Sequence, residues 1–167
     1  MKNIKIIVLT VLIIIMVSLC NFNTVFAVEE SANIEDGTYV IKSALDENYV
    51  FDIQASSMSN GGNLELWNNN HTNNQKFIIK SLGKGIYGIS PVHSGKYLDV
   101  QGSSKSNGAN VDQWNFHGGQ NQQWIIKNAG NGYYNIISKC NGLYMDIPKS
   151  NANRLVILST PSSGSGR

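Results

Sequence analysis

Residues 97 to 124 read YLDVQGSSKSNGANVDQWNFHGGQNQQW, and this stretch decides the fold because much of it is written twice. Residues 50 to 77, VFDIQASSMSNGGNLELWNNNHTNNQKF, place similar residue types in the same order 47 positions earlier. The markers that keep this spacing are Asp52, Asp99 and Asp146, Trp67 and Trp114, Asn63 and Asn110, Gln75 and Gln122, and Phe77 and Trp124. The chain is therefore one unit repeated three times, and its fold and function follow from the unit.

Each unit carries short segments in which apolar and polar residues alternate, the pattern of β-strands. Complete units have four: a strand that opens with Gly-x-Tyr, the aspartate strand, a third strand that ends in Trp, and a fourth that begins with Gln. A propeller blade also has four strands and a similar period, but a propeller needs at least about four blades. Three such units around a pseudo-threefold axis predict an all-β chain folded as a β-trefoil.

The first residues have the composition of a secretory signal peptide. Two lysines precede an apolar stretch at residues 6 to 19, and Val25-Phe26-Ala27 supplies a cleavage site. The apolar stretch is shorter than the ~20 residues of a membrane-spanning helix. We expect cleavage after Ala27, secretion, and no membrane insertion of the mature protein. A membrane anchor and a lipoprotein modified at Cys20 are the alternatives, and the bulky Leu19 argues against the second.

Charge argues against a nucleic-acid partner. Of the 13 Lys and Arg residues, two lie in the predicted leader, which leaves 11 against 11 Asp and Glu. A nearly neutral chain without a basic run lacks the electrostatic surface that nucleic acids require. His71, His93 and His117 do not have metal-ligand spacing, so we expect neither a metal nor another cofactor.

The repeats set the predicted domain boundaries. They give a signal peptide at 1–27, a linker at 28–35, a β-trefoil domain at 36–160 with repeats at about 36–83, 84–130 and 131–160, and a disordered tail at 161–167. The third repeat is expected to be incomplete. Counting 47 from Trp114 lands on Pro161, and a register with four residues removed puts Ile157 at the tryptophan position. Truncation, degeneration, and completion by a partner chain or by self-association remain open.

The sequence Asn121-Gln122-Gln123-Trp124, echoed by Asn74-Gln75-Lys76-Phe77, resembles the Q-x-W signature of ricin B-chain-type lectins. The same modules occur as carbohydrate-binding modules of bacterial glycoside hydrolases. The resemblance covers roughly residues 36 to 158. It implies a secreted sugar-binding domain with one shallow pocket in each complete unit. Its implied partners are glycans or polysaccharides, such as galactosides or xylan-type chains.

The resemblance also implies a role for each site residue. In the family an Asp accepts hydrogen bonds from two sugar hydroxyls, a polar side chain thirteen residues later adds a contact, and an aromatic ring two further on stacks on the sugar. An Asn donates to a hydroxyl, and the Gln of the motif braces the Asp. The matching residues are Asp99, Asp112, Trp114, Asn121 and Gln122 in repeat 2, and Asp52, Glu65, Trp67, Asn74 and Gln75 in repeat 1. Both repeats carry an acid where Gln is usual, and repeat 3 keeps only Asp146.

The residues of repeat 2 suit this role on chemical grounds as well. Val111 and Gln113 share one face of the third strand, while Asp112 and Trp114 share the other. If Val111 faces the core, Trp114 projects outward beside a carboxylate. An ionised acceptor and an aromatic plate match the hydroxyl edge and the C–H face of a pyranose.

Two other functions compete with a lectin. A β-trefoil that binds protein, such as an inhibitor or a toxin-associated subunit, predicts one long specific loop rather than repeated pockets. A glycoside hydrolase would pair Asp99 with Asp112 and raise the pKa of one of them, but the polar loops indicate no such shift. We expect a non-enzymatic lectin, alone or in a toxin or hydrolase complex, with Trp124 and Phe77 in the core.

Overall fold

The computed structural model describes residues 32–147 and 156–159. The predicted signal peptide and tail lie outside these residues. The strands, in chain order, are β1 Gly37–Tyr39, β2 Tyr49–Ile53, β3 Gly62–Asn68, β4 Phe77–Gly83, β5 Ile86–Pro91, β6 Tyr97–Val100, β7 Ala109–Trp114, β8 Trp124–Gly130, β9 Tyr133–Ser138, β10 Tyr144–Asp146 and β11 Ile157–Ser159. Helix within the described ranges is limited to single 3₁₀ turns at Gln54–Ser56, Asn73–Gln75, Gln101–Ser103 and Gln120–Gln122. The prediction of an all-β chain is confirmed.

The strands repeat one pairing scheme. Strands β1, β4, β5, β8 and β9 pair side by side in that order and form the barrel part of the sheet. The second and third strands of each unit pair as β2 with β3, β6 with β7, and β10 with β11, and β7 joins these pairs by contacting both β3 and β11. Each of the first two units thus gives two strands to the barrel and two to the set of pairs formed by β2–β3, β6–β7 and β10–β11. The third unit has one described barrel strand, β9. The predicted β-trefoil is confirmed.

The units are joined by a turn that the sequence repeats. Gly83-Lys84-Gly85 between β4 and β5 has φ values of 86°, 55° and 71°, and Gly130-Asn131-Gly132 between β8 and β9 has 85°, 53° and 81°. Three successive left-handed residues favour glycine, because side chains rarely adopt this conformation. The Gly-x-Gly pair therefore fixes where one unit ends and the next begins.

The fourth strands supply the centre of the core. Phe77 and Trp124 are both 0% exposed, as expected from the sequence. The Phe77 ring meets Phe51 edge-on, with the centroids 6.2 Å apart and the planes at 84°. The indole nitrogen of Trp124 donates to the Leu98 carbonyl at 3.3 Å. Strands β4 and β8 begin at these aromatic residues. The predicted start at the Gln two positions earlier was wrong, because that Gln lies in a 3₁₀ turn.

The segment before β1 also packs on the barrel. The Ala32 backbone N–H donates to the Ile126 carbonyl at 3.0 Å, and the Tyr87 hydroxyl donates to the Ala32 carbonyl at 2.9 Å. The Ile34 N–H donates to the same hydroxyl at 3.1 Å. Residues 28–31 of the predicted linker lie outside the described residues, whereas the rest of it is held by these bonds.

The register of the third repeat differs from the predicted one. In β10 and β11, Asp146 pairs with Ile157 and Tyr144 pairs with Ser159. Ile157 therefore stands at the position of the second site acid, and Ser159 stands at the position of the tryptophan. The four-residue deletion was wrong, because pairing of β11 with both β10 and β7 fixes a deletion of two residues. Either register leaves the third unit without an indole, and its predicted incompleteness stays a prediction.

Candidate functional site

The repeat 2 site is built on the β6–β7 hairpin. Asp99 pairs with Asp112 and Tyr97 pairs with Trp114, and residues two apart on a strand share a face. The Asp99 carboxylate is held from two sides by a neighbouring loop. The Asn121 amide donates to Oδ1 at 2.7 Å, and the His117 ring nitrogen Nε2 lies 3.2 Å from Oδ2.

Beside this carboxylate lies an exposed aromatic surface. Trp114 is 43% exposed and Phe116 is 54% exposed. The Phe116 ring packs on Tyr97 with the centroids 4.4 Å apart and the planes tilted by 40°. Sequence reasoning identified Trp114 and missed the other two rings. The available signal was a phenylalanine in an otherwise polar loop, two residues after the tryptophan.

The repeat 1 site has the same plan on the β2–β3 hairpin. Asp52 pairs with Glu65, and its carboxylate accepts hydrogen bonds from Asn74 Nδ2 at 2.9 Å and Gln75 Nε2 at 2.8 Å. Trp67 is 50% exposed. Both predicted constellations are therefore assembled by the fold, each with a braced carboxylate and an outward indole.

The two motif glutamines hold equivalent loops. The side-chain oxygen of Gln75 accepts from the Asn70 N–H at 2.8 Å, and that of Gln122 accepts from the His117 N–H at 2.9 Å. Their amides donate to the Asn68 and Asn115 carbonyls at 2.9 and 3.0 Å. Gln75 also braces its aspartate, whereas in repeat 2 the structure gives that contact to the His117 ring. The bracing role that the resemblance implies for Gln122 is thus taken by a residue that the motif does not include.

The second acids of the two sites are buried below the surface. Asp112 is 1% exposed, and neither of its carboxylate oxygens has a hydrogen-bond partner among the described residues. Glu65 is 7% exposed and accepts from Gln54 Nε2 at 3.1 Å. The first acids Asp52 and Asp99 are also buried, each at 4% exposure, so what distinguishes Asp112 among the four acids is its lack of a described hydrogen-bond partner.

This burial changes the acidity of three carboxyl groups. Burial, helped by the charge of Asp99, raises the pKa of Asp112 to about 7. Burial and the charge of Asp52 raise the pKa of Glu65. Burial also raises the pKa of Asp52, although its bonds from Gln75 and Asn74 act in the opposite direction. The expectation that nothing shifts these pKa values was wrong, because the carboxyls lie on buried strands rather than in the polar loops.

Within residues 131–147 and 156–159, repeat 3 does not assemble a comparable site. Asp146 is exposed, and its Oδ1 accepts from the Ile147 backbone N–H at 2.8 Å. The residues opposite it in register are those of β11, where Ile157 and Ser159 replace the acid and the indole. The third aspartate is therefore present without the residues that accompany it in the other repeats.

Two further features of the described residues bear on function. They contain no group of three or more His, Cys, Asp or Glu side chains placed to hold a metal ion. No helix in residues 32–147 or 156–159 has the length and apolar character that would let it cross a membrane.

Comparison with solved structures gives similar β-trefoils. The designed 3-fold symmetric protein ThreeFoil is 34% identical, with a TM-score of 0.73, over 77% of this chain and 93% of that protein. The exo-β-1,3-galactanase 1,3Gal43A from Clostridium thermocellum is 30% identical, with a TM-score of 0.66, over 70% of this chain and 26% of the enzyme. The Rhizoctonia solani agglutinin, at 22% identity and a TM-score of 0.67 over 81% of this chain and 93% of the agglutinin, shares the fold.

Comparison with curated protein sequences gave no match. The family model described as ricin-type β-trefoil lectin domain-like matches residues 23–114 and again residues 73–158. The overlap of the two matches reflects the repeats, since each match can align with a different pair of units. With the repeated hairpins and their Asp, Trp and Gln residues, this match shows that the chain belongs to the ricin-type β-trefoil lectin domain-like family.

Proposed function

We propose that this protein is a lectin that binds glycans or polysaccharides without transforming them, through shallow sites in repeats 2 and 1. One observation carries the proposal: the same arrangement of a braced carboxylate and an exposed indole occurs twice. It is formed by Asp99 and Trp114 in repeat 2 and by Asp52 and Trp67 in repeat 1. A structural role for these residues would not require an exposed indole in each copy.

The contacts match the chemistry of a pyranose. Each oxygen of the Asp99 carboxylate has one described partner, and a carboxylate oxygen can accept from two donors. Vicinal sugar hydroxyls can use the remaining acceptor capacity through charge-assisted hydrogen bonds. The exposed face of Trp114 offers apolar contact to the C–H face of the ring.

Repeat 2 is proposed as the stronger site. Its Trp114 lies in an aromatic surface that includes Phe116 and Tyr97. The positions equivalent to these two rings in repeat 1 carry Asn69 and Val50. A sugar in repeat 1 therefore has a smaller apolar surface to contact.

A glycoside hydrolase is the second candidate, because the pKa of Asp112 is raised to about 7. A carboxyl with a raised pKa is what a general acid needs. The same burial that raises this pKa keeps the carboxyl away from the surface, where a glycosidic oxygen would lie. Incubation with soluble polysaccharides separates the two functions, since a hydrolase releases reducing sugar and a lectin does not.

The proposal is tested by affinity electrophoresis, after a glycan array on the mature protein has identified a ligand. Asp99→Ala should weaken binding by about 1–3 kcal/mol, which for a shallow site removes detectable retardation. Asp52→Ala should have a smaller effect, and the double variant should lose the avidity of two sites on one polymer. Asp146→Ala is the matched control, because repeat 3 lacks the accompanying residues, and should migrate like the wild type.

Two outcomes would contradict the proposal. Loss of retardation in Asp52→Ala with none in Asp99→Ala would reverse the ranking of the repeats. Retardation that is equal in the wild type, both single variants and the double variant would place the glycan outside these pockets.

We also propose that the protein is secreted and that its mature form begins at Val28. The support is the leader sequence, with its apolar stretch and the cleavage site that ends at Ala27. N-terminal sequencing of exported protein tests this. An intact leader, or a lipid-modified Cys20, would overturn it.

A further inference from the structure

We propose that the repeat 2 site continues into a second subsite, which binds the next sugar of an oligosaccharide or polysaccharide. It is an apolar strip that runs from the β6–β7 hairpin to the barrel wall and consists of Tyr97, Phe116 and Leu82. We call it the outer subsite. It rests on the proposed function, because it adjoins the site of Asp99 and Trp114, and it gives repeat 2 a preference for ligands of at least two sugars.

The hairpin sets the order of the groups along the site. Asp99 pairs with Asp112, and Tyr97 pairs with Trp114 two residues away. Two residues of an antiparallel strand cover about 7 Å, so one pyranose can contact the Asp99 carboxylate and the Trp114 face together. The Phe116 ring packs on Tyr97. It therefore belongs to the pair that is further from the carboxylates, where a second sugar would lie.

A glycine in the barrel makes room for the Tyr97 ring. A Cβ atom at Gly88 of β5 would lie 2.6 Å from Tyr97 Cε1 and 3.7 Å from Leu82 Cδ1. The first distance is too short for any side chain, so the ring occupies space that a larger residue would fill. The Tyr97 ring is therefore seated on the barrel wall, with Leu82 near it and Phe116 packed against it at 4.4 Å between the centroids.

The repeats show that this arrangement is particular to repeat 2. The equivalent positions carry Val40 and Asn135 for Gly88, Val50 and Tyr144 for Tyr97, Asn69 for Phe116, and Ala129 for Leu82. A residue that only maintains the fold would be expected in every copy. Four departures from the repeat that meet at one place instead indicate a role that belongs to the site of repeat 2.

The strip offers an apolar face with polar groups at its edge. Phe116 and Leu82 are 54% and 40% exposed, and Tyr97 is half-buried. The residues that precede the two rings form a polar contact, in which Lys96 Nζ donates to Asn115 Oδ1 at 2.6 Å. An ammonium group has three donors, so two remain for sugar hydroxyls. A pyranose presents a C–H face to aromatic rings and hydroxyls at its edge, and a second sugar therefore matches both features.

The test is isothermal titration of the Asp52→Ala protein, in which repeat 2 is the remaining proposed site. The ligands are a disaccharide taken from the glycan that an array identifies, its terminal monosaccharide, and the methyl glycoside of that monosaccharide. The disaccharide should bind about two- to tenfold more tightly than the other two, which is the range of an aromatic contact. The methyl glycoside is the control, because it has the linkage oxygen without a second ring.

Two further variants, made in the same protein, test the strip itself. Phe116→Asn introduces the residue type of repeat 1 and should remove most of the advantage of the disaccharide, with a smaller loss for the monosaccharide. Gly88→Ala keeps every ring but displaces Tyr97 from its seat, and should act in the same direction as a change in a positioning residue. Ile78→Ser is the matched control, because this β4 side chain is exposed but lies outside the strip, and it should preserve both affinities.

The outcomes separate this subsite from the proposed function. Equal affinity for the monosaccharide and the disaccharide would overturn the outer subsite and leave the lectin proposal in place. So would Phe116→Asn and Gly88→Ala variants that weaken both ligands equally, or that bind the disaccharide as the parent protein does. Absence of any bound glycan, or binding that Asp99→Ala does not weaken, would instead overturn the proposed function and the outer subsite with it.

Discussion

Repeats 1 and 2 share one backbone plan and differ in several side chains around the site carboxylate, most visibly in the loop before the Q-x-W motif. Asp52 and Asp99 are equally buried, at 4% exposure, and each is held by an Asn at the equivalent position. The second brace is the neutral amide of Gln75 in repeat 1 and the ring of His117 in repeat 2. The comparison teaches that the repeated strands fix the position of the carboxylate, whereas either the motif glutamine or a side chain of the loop before the motif supplies its second brace.

The largest difference we expect between the repeats concerns stability. Trp124→Ala should lower the free energy of unfolding by about 3–5 kcal/mol, since it opens a cavity in the core and removes the bond to the Leu98 carbonyl. Phe77→Ala should cost less within this range, because the side chain is smaller and makes no hydrogen bond. Urea denaturation of both variants measures this. An equal or greater loss for Phe77→Ala would show that repeat 1, not repeat 2, anchors the core.

The second prediction uses the acid that is buried without a partner in repeat 2. Because the pKa of Asp112 is raised to about 7 in the folded protein, the folded protein keeps a proton that the unfolded chain loses near pH 4. The contribution of this group to stability is therefore present at low pH and declines as the pH rises through about 7. Asp112→Asn should raise the free energy of unfolding at pH 8 by on the order of 2–4 kcal/mol and change it little at pH 4.

The control for this prediction lies in repeat 1. Glu65→Gln should show the same sign with a smaller amplitude, because Glu65 retains a hydrogen bond from Gln54. Urea denaturation at several pH values between 4 and 8 measures both variants. Stability curves of the wild type and Asp112→Asn that run parallel across this range would contradict the raised pKa.

Much of the fold and of the site could be predicted from the sequence because each short residue pattern, ambiguous by itself, recurs at one fixed spacing. A single apolar-polar alternation is ambiguous, but its return with Asp, Trp and Gln at one spacing is decisive for a three-unit fold. The same repetition located the braced aspartates, both exposed indoles and the two core aromatic residues. These features depend on strand periodicity, which a sequence displays directly.

The burial of Asp112, the loop contacts and the register of β11 depend on how the strands pair and pack, which residue spacing alone does not determine. The alternation rule placed Asp112 outward with Trp114, yet in the folded chain Asp112 is 1% exposed and its pKa is raised. His117 and Phe116 lie in a loop where residue types differ between repeats, and repetition gave no guide to their roles. The predicted register of β11 was wrong because the deletion lies in a loop, and only the pairing of β11 with β10 and β7 fixes its length.

The third prediction separates the two motif glutamines. Gln75→Leu and Gln122→Leu should each lower the free energy of unfolding by about 1–3 kcal/mol, because each leaves loop backbone groups without their partners. Only Gln75→Leu removes a direct bond to a site carboxylate. It should therefore also weaken glycan binding at repeat 1, measured with repeat 2 disabled by Asp99→Ala. Gln122→Leu, with repeat 1 disabled by Asp52→Ala, should retain more of its binding, and a greater loss there would refute the bracing role of His117.

The smallest effect we expect comes from the aromatic surface of repeat 2. Phe116→Ala removes a ring that packs on Tyr97 at 4.4 Å and is 54% exposed. Its truncation should weaken glycan binding by about 0.5–1.5 kcal/mol, the range of an aromatic contact, and should leave stability nearly unchanged because the ring is outside the core.

Asn69→Ala is the matched control for this change, since Asn69 occupies the same position in repeat 1. It removes no aromatic surface, so glycan retardation should stay that of the wild type. If Phe116 binds sugar directly, its loss should reduce affinity most for ligands long enough to extend beyond Trp114, and monosaccharide binding should change least. Isothermal titration with a monosaccharide and a longer oligosaccharide measures this difference. An equal loss of affinity for both ligands would mean that Phe116 only positions Tyr97 and Trp114. The stronger binding expected of repeat 2 would then depend on its preorganised hairpin rather than on a larger contact surface.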